Sequence, residues 1–575
     1  MDYEPVYLEA HEGINRFVQL TYQMLNSSVP VPLSRMEAVY LAMHNAIHER
    51  ARDSALDAGA FLYVCARLPP CIFSVTKILL GQSESILKER GVLLGSWTEV
   101  YAKARRRKYL YNGKETLIAF IASKSDIDDI IPALLALQIE WNKAKGLLQQ
   151  LGPIAGTGPL GAEFYREIAA ALGIDALQME KLQKLFGEAL PQILKTLQEK
   201  PCGIAVQNYE ASYCRYRRET EIWWNTIYTV YPEIETRPVY FVSSNSHSLI
   251  NLLSGFAEAH REEIAAYGEG KKELLPFVEE YRRFSAAGEA AGREEGGFRV
   301  RLQNILFYLL MKYEQDPLLG EPMLEKRLAW EKKAGIVRIE SPKTLDIPTQ
   351  IIDLQKLALF RRGIPGSAGL PDFPEKTRAV ILNIDYPLGR TAYFILGKIA
   401  EHISKLLGVF VIGKAASLIA DRGDVIIPSV VMDQHTRNQY FFENCIKARD
   451  IIPFMDIPLH GIYDNQRAVT VLGTLLQNNE MLYAFQAAGI TDIEMEAGPY
   501  LSTIYEMTRP KRYPENETIS ITSLDMDIGI VHYVSDNPLS HQRLADNLDR
   551  DGISSTYAST NAVLRKIFLR EGGLG

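Results

Sequence analysis

Apolar residues recur at three- and four-residue intervals along Ile14 to Leu25 and again along Glu37 to Ala51. That is the period of an amphipathic helix, so the chain from Val6 to about Leu151 reads as mainly helical. One continuous apolar run, Thr116-Leu117-Ile118-Ala119-Phe120-Ile121, breaks the period and predicts a strand; Ser125 with Asp128 then reads as the cap of a long helix. The stretch from Gly152 to Gly161 marks a break. The strand, serine-rich turn and helix recur at Val239-Tyr240-Phe241-Val242, Ser243 to Ser246 and Ser248 onward, which predicts a small α/β element within a helical region. Ala286 to Gly297 and Pro342 to Pro348 read as connections, and the main boundary falls near residue 345.

Beyond it the texture changes. Ala379 to Ile384 and Val409 to Ile412 are apolar throughout, as strands covered on both faces are, and Thr391 to Leu407 has helical periodicity. Strands and helices alternate up to a closing helix around Ser559 to Leu569, which predicts an α/β fold with three layers, α/β/α. The expected organisation is therefore a mainly helical segment 1–151, a helical to mixed α/β segment 152–345, and an α/β segment 346–575.

Composition narrows the function classes. Of 575 residues, 47% are apolar and 23% charged, ordinary globular values for about three domains. Lys and Arg number 63 against 70 Asp and Glu, a balance of −7, so no overall basic field favours nucleic acid or an anionic membrane as partner. Apolar stretches such as Ile130 to Trp141 are interrupted before membrane-spanning length, and the acidic start Met1-Asp2-Tyr3-Glu4 lacks a secretory pattern, so a cytoplasmic protein is expected. Cys65, Cys71, Cys202, Cys214 and Cys445 are odd in number and scattered, which argues for reduced thiols and against structural zinc; no cofactor is called for.

In an open α/β sheet, ligands bind beyond the carboxyl ends of the strands, and four such places carry candidate chemistry. Asp385-Tyr386-Pro387-Leu388-Gly389-Arg390 ends a strand and starts a helix, so backbone N–H groups and Arg390 can converge on an anion. Gly413-Lys414-Ala415-Ala416-Ser417-Leu418 is a small-residue turn that lets a flat ligand approach the backbone. Glu494-Met495-Glu496-Ala497 sets two carboxylates two residues apart at a strand end, on one side. Val534-Ser535-Asp536-Asn537-Pro538-Leu539 holds an acid at a strand end.

Taken in order, these segments, with Gly423-Asp424-Val425-Ile426-Ile427-Pro428, resemble the nucleoside phosphorylase and nucleosidase superfamily. Within it the likeness is nearest to the catalytic domain of the AMP nucleosidases and covers about residues 378 to 570. The resemblance implies a nucleoside phosphorylase-like α/β/α domain that cleaves the N-glycosidic bond of a purine nucleoside or nucleotide, and a homo-oligomer. Asp536 matches the acid that protonates purine N7, and Glu496 the carboxylate that grips the ribose hydroxyls, with Met495 against the sugar and Glu494 as a further partner. Gly413, Lys414, Ala415, Ala416 and Ser535 match the base and ribosyl edge, and Asp385 to Arg390 the phosphate side.

Two departures favour hydrolysis over phosphorolysis. Val409 to Ile412 is apolar where phosphorylases place a second arginine, and Lys414 stands where Ser, Thr or His is frequent. With Arg390, that lysine offers a cationic pair to a 5′-phosphate, or else it fills the pocket and leaves a catalytically inactive nucleotide-binding sensor. His435 is a candidate base for the attacking water.

The first 345 residues carry weaker signals and read as a regulatory module. Arg105-Arg106-Arg107-Lys108, among Tyr101, Tyr109 and Tyr111, reads as a solvated helix face, with contact to a nucleic acid or polyphosphate through charge and stacking as the alternative, and the same holds for Arg215 to Arg218. His44 and His48 are spaced for one helix face but lack an identifiable third metal ligand. The serines at Ser123 to Ser125 and Ser243 to Ser246 suit helix capping or phosphate.

Overall fold

The computed structural model describes residues 4–573 except 106, 156–160, 210–211, 292–295, 343, 363–369, 456–459, 523–524 and 539–549. Two sheets organise the chain. The first comprises β1 (Val31–Pro32), β2 (Lys77–Gly81), β3 (Thr98–Val100), β4 (Tyr109–Tyr111), β5 (Thr116–Phe120) and β6 (Ala205–Asn208), in the order β1-β6-β2-β5-β4-β3. Strands β6, β2 and β5 run parallel. The run at Thr116 is therefore not a lone strand among helices, as its sequence context predicts. Its neighbours are only three to five residues long, too short to show a period of two.

The helix Lys124–Leu148 follows β5 and is buried along most of its length, which accounts for the apolar stretch around Pro132. Its cap is Ser123 in a reciprocal box with Asp126, two residues earlier than the Ser125 and Asp128 pair that the sequence suggests. The helix Ser34–Ala42 ends before His44, whose φ is 52°. The two histidines thus do not share a helix face. His48 is instead buried between the Tyr40 hydroxyl at 3.0 Å and the Glu140 carboxylate at 2.7 Å.

The second sheet has eleven strands: β7 (Pro238–Ser244), β8 (Ile336–Ile339), β9 (Thr349–Asp353), β10 (Val380–Asp385), β11 (Lys405–Ser417), β12 (Val425–Asp433), β13 (Gln439–Phe442), β14 (Ile462–Thr470), β15 (Asp492–Glu494), β16 (Thr518–Ile521) and β17 (Asp527–Asp536). Their order is β16-β13-β12-β14-β15-β11-β7-β10-β9-β8, and β17 pairs with both β11 and β12. The pairs β12–β14–β15–β11–β17–β12 close a ring, so the sheet rolls into a barrel-like body at one end. Strand β7 lies parallel between β10 and β11, so this sheet draws strands from both sides of residue 345. The two strand–serine–helix units consequently belong to different sheets.

Apolar runs here are continuous because both faces are covered. On β10, Val380, Leu382 and Ile384 pack toward Ile395, Ile399, Tyr500 and Ile504 of the helices Thr391–His402 and Ala497–Thr508. Ile381, between them, packs on the other side with Leu309, Leu564 and Ile567 of the helices Gly296–Glu314 and Arg550–Glu571. That alternation makes three layers, α/β/α.

The first unit does not stand apart. Its core, with Phe17, Val64 and Leu134, is continuous with Leu472, Leu476, Leu482 and Phe485, which follow β14. Asn45 bonds the Leu475 carbonyl, and the Ala46 N–H donates to the Gln477 carbonyl at 2.8 Å. At the other end of the contact, the Arg390 N–H donates to Ser125 Oγ at 3.0 Å. Gly389 permits that approach: its φ is 52°, and a Cβ there would lie 2.8 Å from Ser125 Cβ. Among the described residues no helix is long and apolar enough to cross a membrane.

Candidate active site

A cavity of about 410 Å³ lies where the first unit meets the strand ends of the second sheet. From the second sheet it is lined by Asp385, Gly413, Lys414, Ala415, Ala416, Glu494, Met495, Glu496, Ser535 and Asp536. Ten of the sequence-selected positions therefore meet at one place, although they come from β10, β11, β15 and β17. Arg390 does not line it: its guanidinium donates to the Tyr513 hydroxyl at 2.9 Å. His435 is also not among the lining residues, and burial together with Arg390 and Lys124 keeps its imidazole neutral, its pKa well below the ordinary histidine value. Leu539 lies outside the described residues.

The pairing of β11 with β17 sets the acid end. Gly413 is opposite His532, Lys414 opposite Tyr533, and the register slips between Ala415 and Ala416 so that Ala416 faces Asp536. The slip turns the end of β17 inward. The Ser535 hydroxyl donates to the Ala415 carbonyl at 3.2 Å and fixes the crossing. Burial raises the Asp536 pKa above the usual carboxylate value, while Arg67, Lys414 and Arg422 pull it back.

The other end is built on the turn from β15 into the helix Ala497–Thr508. Glu494 accepts the N–H groups of Glu496 and Ala497, each at 2.6 Å, and the Thr470 hydroxyl, while Thr470 Oγ1 accepts the Gly498 N–H at 2.8 Å. Its carboxylate is thus spent on holding the helix N-terminus. Glu496 Oε1 accepts the Gly389 N–H at 3.1 Å. Burial and the neighbouring Glu494 push Glu496 up to about 7. Met495 lies between the two carboxylates in sequence and lines the same wall.

Four further lining groups escape sequence reasoning. His532 is one: its Nδ1 lies 2.7 Å from Asp492, both side chains being buried. Burial alone disfavours an imidazolium, but Asp492, Glu494 and Glu496 outweigh it and raise His532 to about 9. The only sequence signal was a single histidine in the apolar run Ile530-Val531-His532-Tyr533. Arg67, Arg105 and Arg107 are the others, and all come from the first unit.

Arg105 and Arg107 do not lie on a solvated helix face. They precede β4 and are bound by Asp126 and Asp129, two acids in the first turns of the helix Lys124–Leu148. Arg107 has all three nitrogens engaged, with Asp126, Asp129 and the Tyr109 hydroxyl. Arg105 has only its Nη2 on Asp129, and its buried Nε has no hydrogen-bond partner among the described residues. Arg67 lies 3.4 Å over the Tyr63 ring and donates to the Tyr63 carbonyl at 3.3 Å; its Nε is likewise buried without a partner. The wall opposite the sheet thus carries donors that the protein itself does not use.

The chain belongs to a family of unknown function, DUF6909, which matches residues 33–569. No curated protein matches. Among solved structures, the chain is similar to a 5′-methylthioadenosine/S-adenosylhomocysteine nucleosidase from Neisseria meningitidis in complex with methylthio-immucillin-A. The identity is 12%, over 42% of this chain and 94% of that one, with a TM-score of 0.26. A methylthioadenosine phosphorylase from an Antarctic soil metagenomic library matches at 11% identity over 41% of this chain and 78% of the other, with a TM-score of 0.27. A uridine phosphorylase from Vibrio fischeri matches at 8% over 43% and 87%, with a TM-score of 0.28.

Proposed function

We propose that this protein is an N-glycosidase that hydrolyses the bond between base and ribose in a purine nucleoside or nucleotide. The observation that carries the reading is that Asp536 and Glu496, selected from separate segments, line one cavity together with Met495, Gly413 and Ser535. Asp536, which burial favours in its protonated form, gives its proton to the purine ring nitrogen N7. The C1′–N9 bond then breaks with its electron pair on the base, which leaves neutral. Glu496, once ionised, hydrogen-bonds the ribose hydroxyls and stabilises the positive charge that spreads over C1′ and the ring oxygen. Water adds its oxygen to C1′ and loses a proton to solvent. Asp385 and Ser535 line the same space and bind the substrate edge, while Glu494 acts by holding Glu496 in place.

The reading extends to the first unit. Because Arg105 contributes an unused donor and its charge acts on Glu496, a 5′-phosphate at the ribose end has a cation to meet it. The same cations, together with the His532 imidazolium, favour a second reading in which inorganic phosphate replaces water as the nucleophile. Purified protein incubated with purine nucleosides and their 5′-monophosphates, with and without phosphate, discriminates the two. Free base and free ribose or ribose phosphate support hydrolysis. A requirement for phosphate with release of ribose 1-phosphate supports the second reading, and no base from any substrate contradicts both.

A further inference from the structure

Glu496 and Asp536 are carried by strands that do not touch. Glu496 follows β15 and Asp536 ends β17; each of these strands pairs with β11, and neither pairs with the other. The ladder alone leaves their ends loosely set. Strand β15 has three residues and pairs with β11 at two of them, and the pairing of β11 with β17 slips just before Asp536. Among the described residues one hydrogen bond joins the two strands: His532 Nδ1 donates to Asp492 Oδ2 at 2.7 Å. His532 lies four residues before Asp536, and Asp492 four residues before Glu496, so the bond meets both arms at the same distance from the carboxyl they carry. Gly413, opposite His532 in the ladder, leaves the ring its place, since a Cβ there would already touch the ring carbon Cδ2 at 3.4 Å. His532 lines the cavity, whereas Asp492 is fully buried and stands outside the lining.

Stability does not account for this pair. A buried ion pair gains little over apolar residues of the same volume, and this one leaves Asp492 Oδ1 buried with no hydrogen-bond partner among the described residues. We propose that Asp492 and His532 are positioning residues: their bond ties β15 to β17 and sets the separation of Glu496 and Asp536 across the cavity. That separation has to match a nucleoside, with the acid at the base while the carboxylate is at the sugar, and a misplacement of about 1 Å costs on the order of a hundred-fold in rate. The inference rests on the N-glycosidase reading, since it takes those two carboxyls as the reacting groups.

The test measures kcat and KM for base release from the purine substrate that the wild type cleaves fastest. The variants are His532→Ala, Asp492→Ala, the two combined, His532→Asn and His532→Gln, each assayed below its melting temperature. An asparagine amide reaches the place of Nδ1 and keeps the bond to Asp492; a glutamine amide reaches the place of Nε2 and loses it. Each alanine variant should lose about ten- to a hundred-fold in kcat, with KM within about threefold of the wild type. The double variant should be no worse than either single one, because all three lack the same bond. His532→Asn should recover most of the loss, and His532→Gln should not. Should the alanine variants fail to fold, the asparagine and glutamine variants decide between them. Alanine variants with unchanged kcat overturn the inference, as does a double variant whose loss is the product of the single losses. Activity recovered by glutamine and not by asparagine assigns His532 a direct contact through Nε2, and also overturns it. Each of these outcomes leaves the N-glycosidase reading intact, whereas release of no base by the wild type removes that reading and the inference with it.

Discussion

Asp536 and Glu496 are two carboxyls that burial shifts in the same direction, yet the proposed chemistry needs one protonated and the other ionised. Replacing Asp536 by Asn keeps the size and removes the transferable proton. We expect kcat to fall on the order of 10²–10⁴-fold with KM nearly unchanged, measured by base release. Glu496 sits at about 7, so the ionised fraction grows as pH rises through neutrality. The pH–rate profile should accordingly climb on its acidic limb with a midpoint near 7, and Glu496→Gln should abolish that limb along with most of the activity. A limb that persists in the Gln variant would assign it to another group. These residues were legible in the sequence because each ends an apolar run at a strand terminus, where side-chain chemistry is exposed to a ligand. Arg67 and His532 were not: one lies on a helix whose partner is distant in sequence, and the other is a polar residue in a strand that reads as core.

At the level of elements, the site depends on where loops end as much as on the strands. The turn after β10 gives its Gly389 N–H to Glu496, and the following Arg390 N–H to Ser125 of the first unit. Gly389→Ala would place a methyl group against Ser125 in a left-handed conformation, so stability should drop by about 1–3 kcal/mol and activity with it. Gly397 provides the contrast: it lies inside the helix Thr391–His402 with open space around its Cβ position. Gly397→Ala should be neutral or stabilise by about 0.5–1 kcal/mol, and thermal unfolding of the two variants side by side checks both signs. The long apolar strands of the second sheet were predictable, since burial on both faces leaves a continuous signature. The short strands of the first sheet, and the place of β7 in the middle of the second, were not, because partner choice depends on tertiary contacts that no local pattern encodes.

For the molecule as a whole, the first unit is a wall of the cavity, and a large set of buried titratable groups lies near the junction. Burial pushes Asp128 and Asp433 up to about 6 and Glu496 to about 7, while Asp492 raises His532 to about 9 against its burial. Each of these has a folded-state pKa above its unfolded value, so between pH 5 and 9 these four groups hold more protons in the folded protein than in the unfolded chain, and they outnumber His435, whose depressed pKa works the other way below the ordinary histidine value. Stability contributed this way is present at low pH and is lost as pH rises through those values. The melting temperature should therefore fall steadily from pH 5 to pH 9, and a rise across that range would contradict the ionisation states argued here. The role of the first unit is also where sequence reading was weakest. A cluster of arginines before β4 resembles any solvated basic run until the acids of the following helix are seen to hold it against the cavity.

The most direct test of the central claim is the release of free purine base from a panel of nucleosides and nucleotides by the wild-type protein and by Asp536→Asn, followed by chromatography. Base released by the wild type and nearly lost in the variant, with the fold intact by circular dichroism, is the result expected. Base release that the variant retains in full, or no release by the wild type from any substrate, would contradict it.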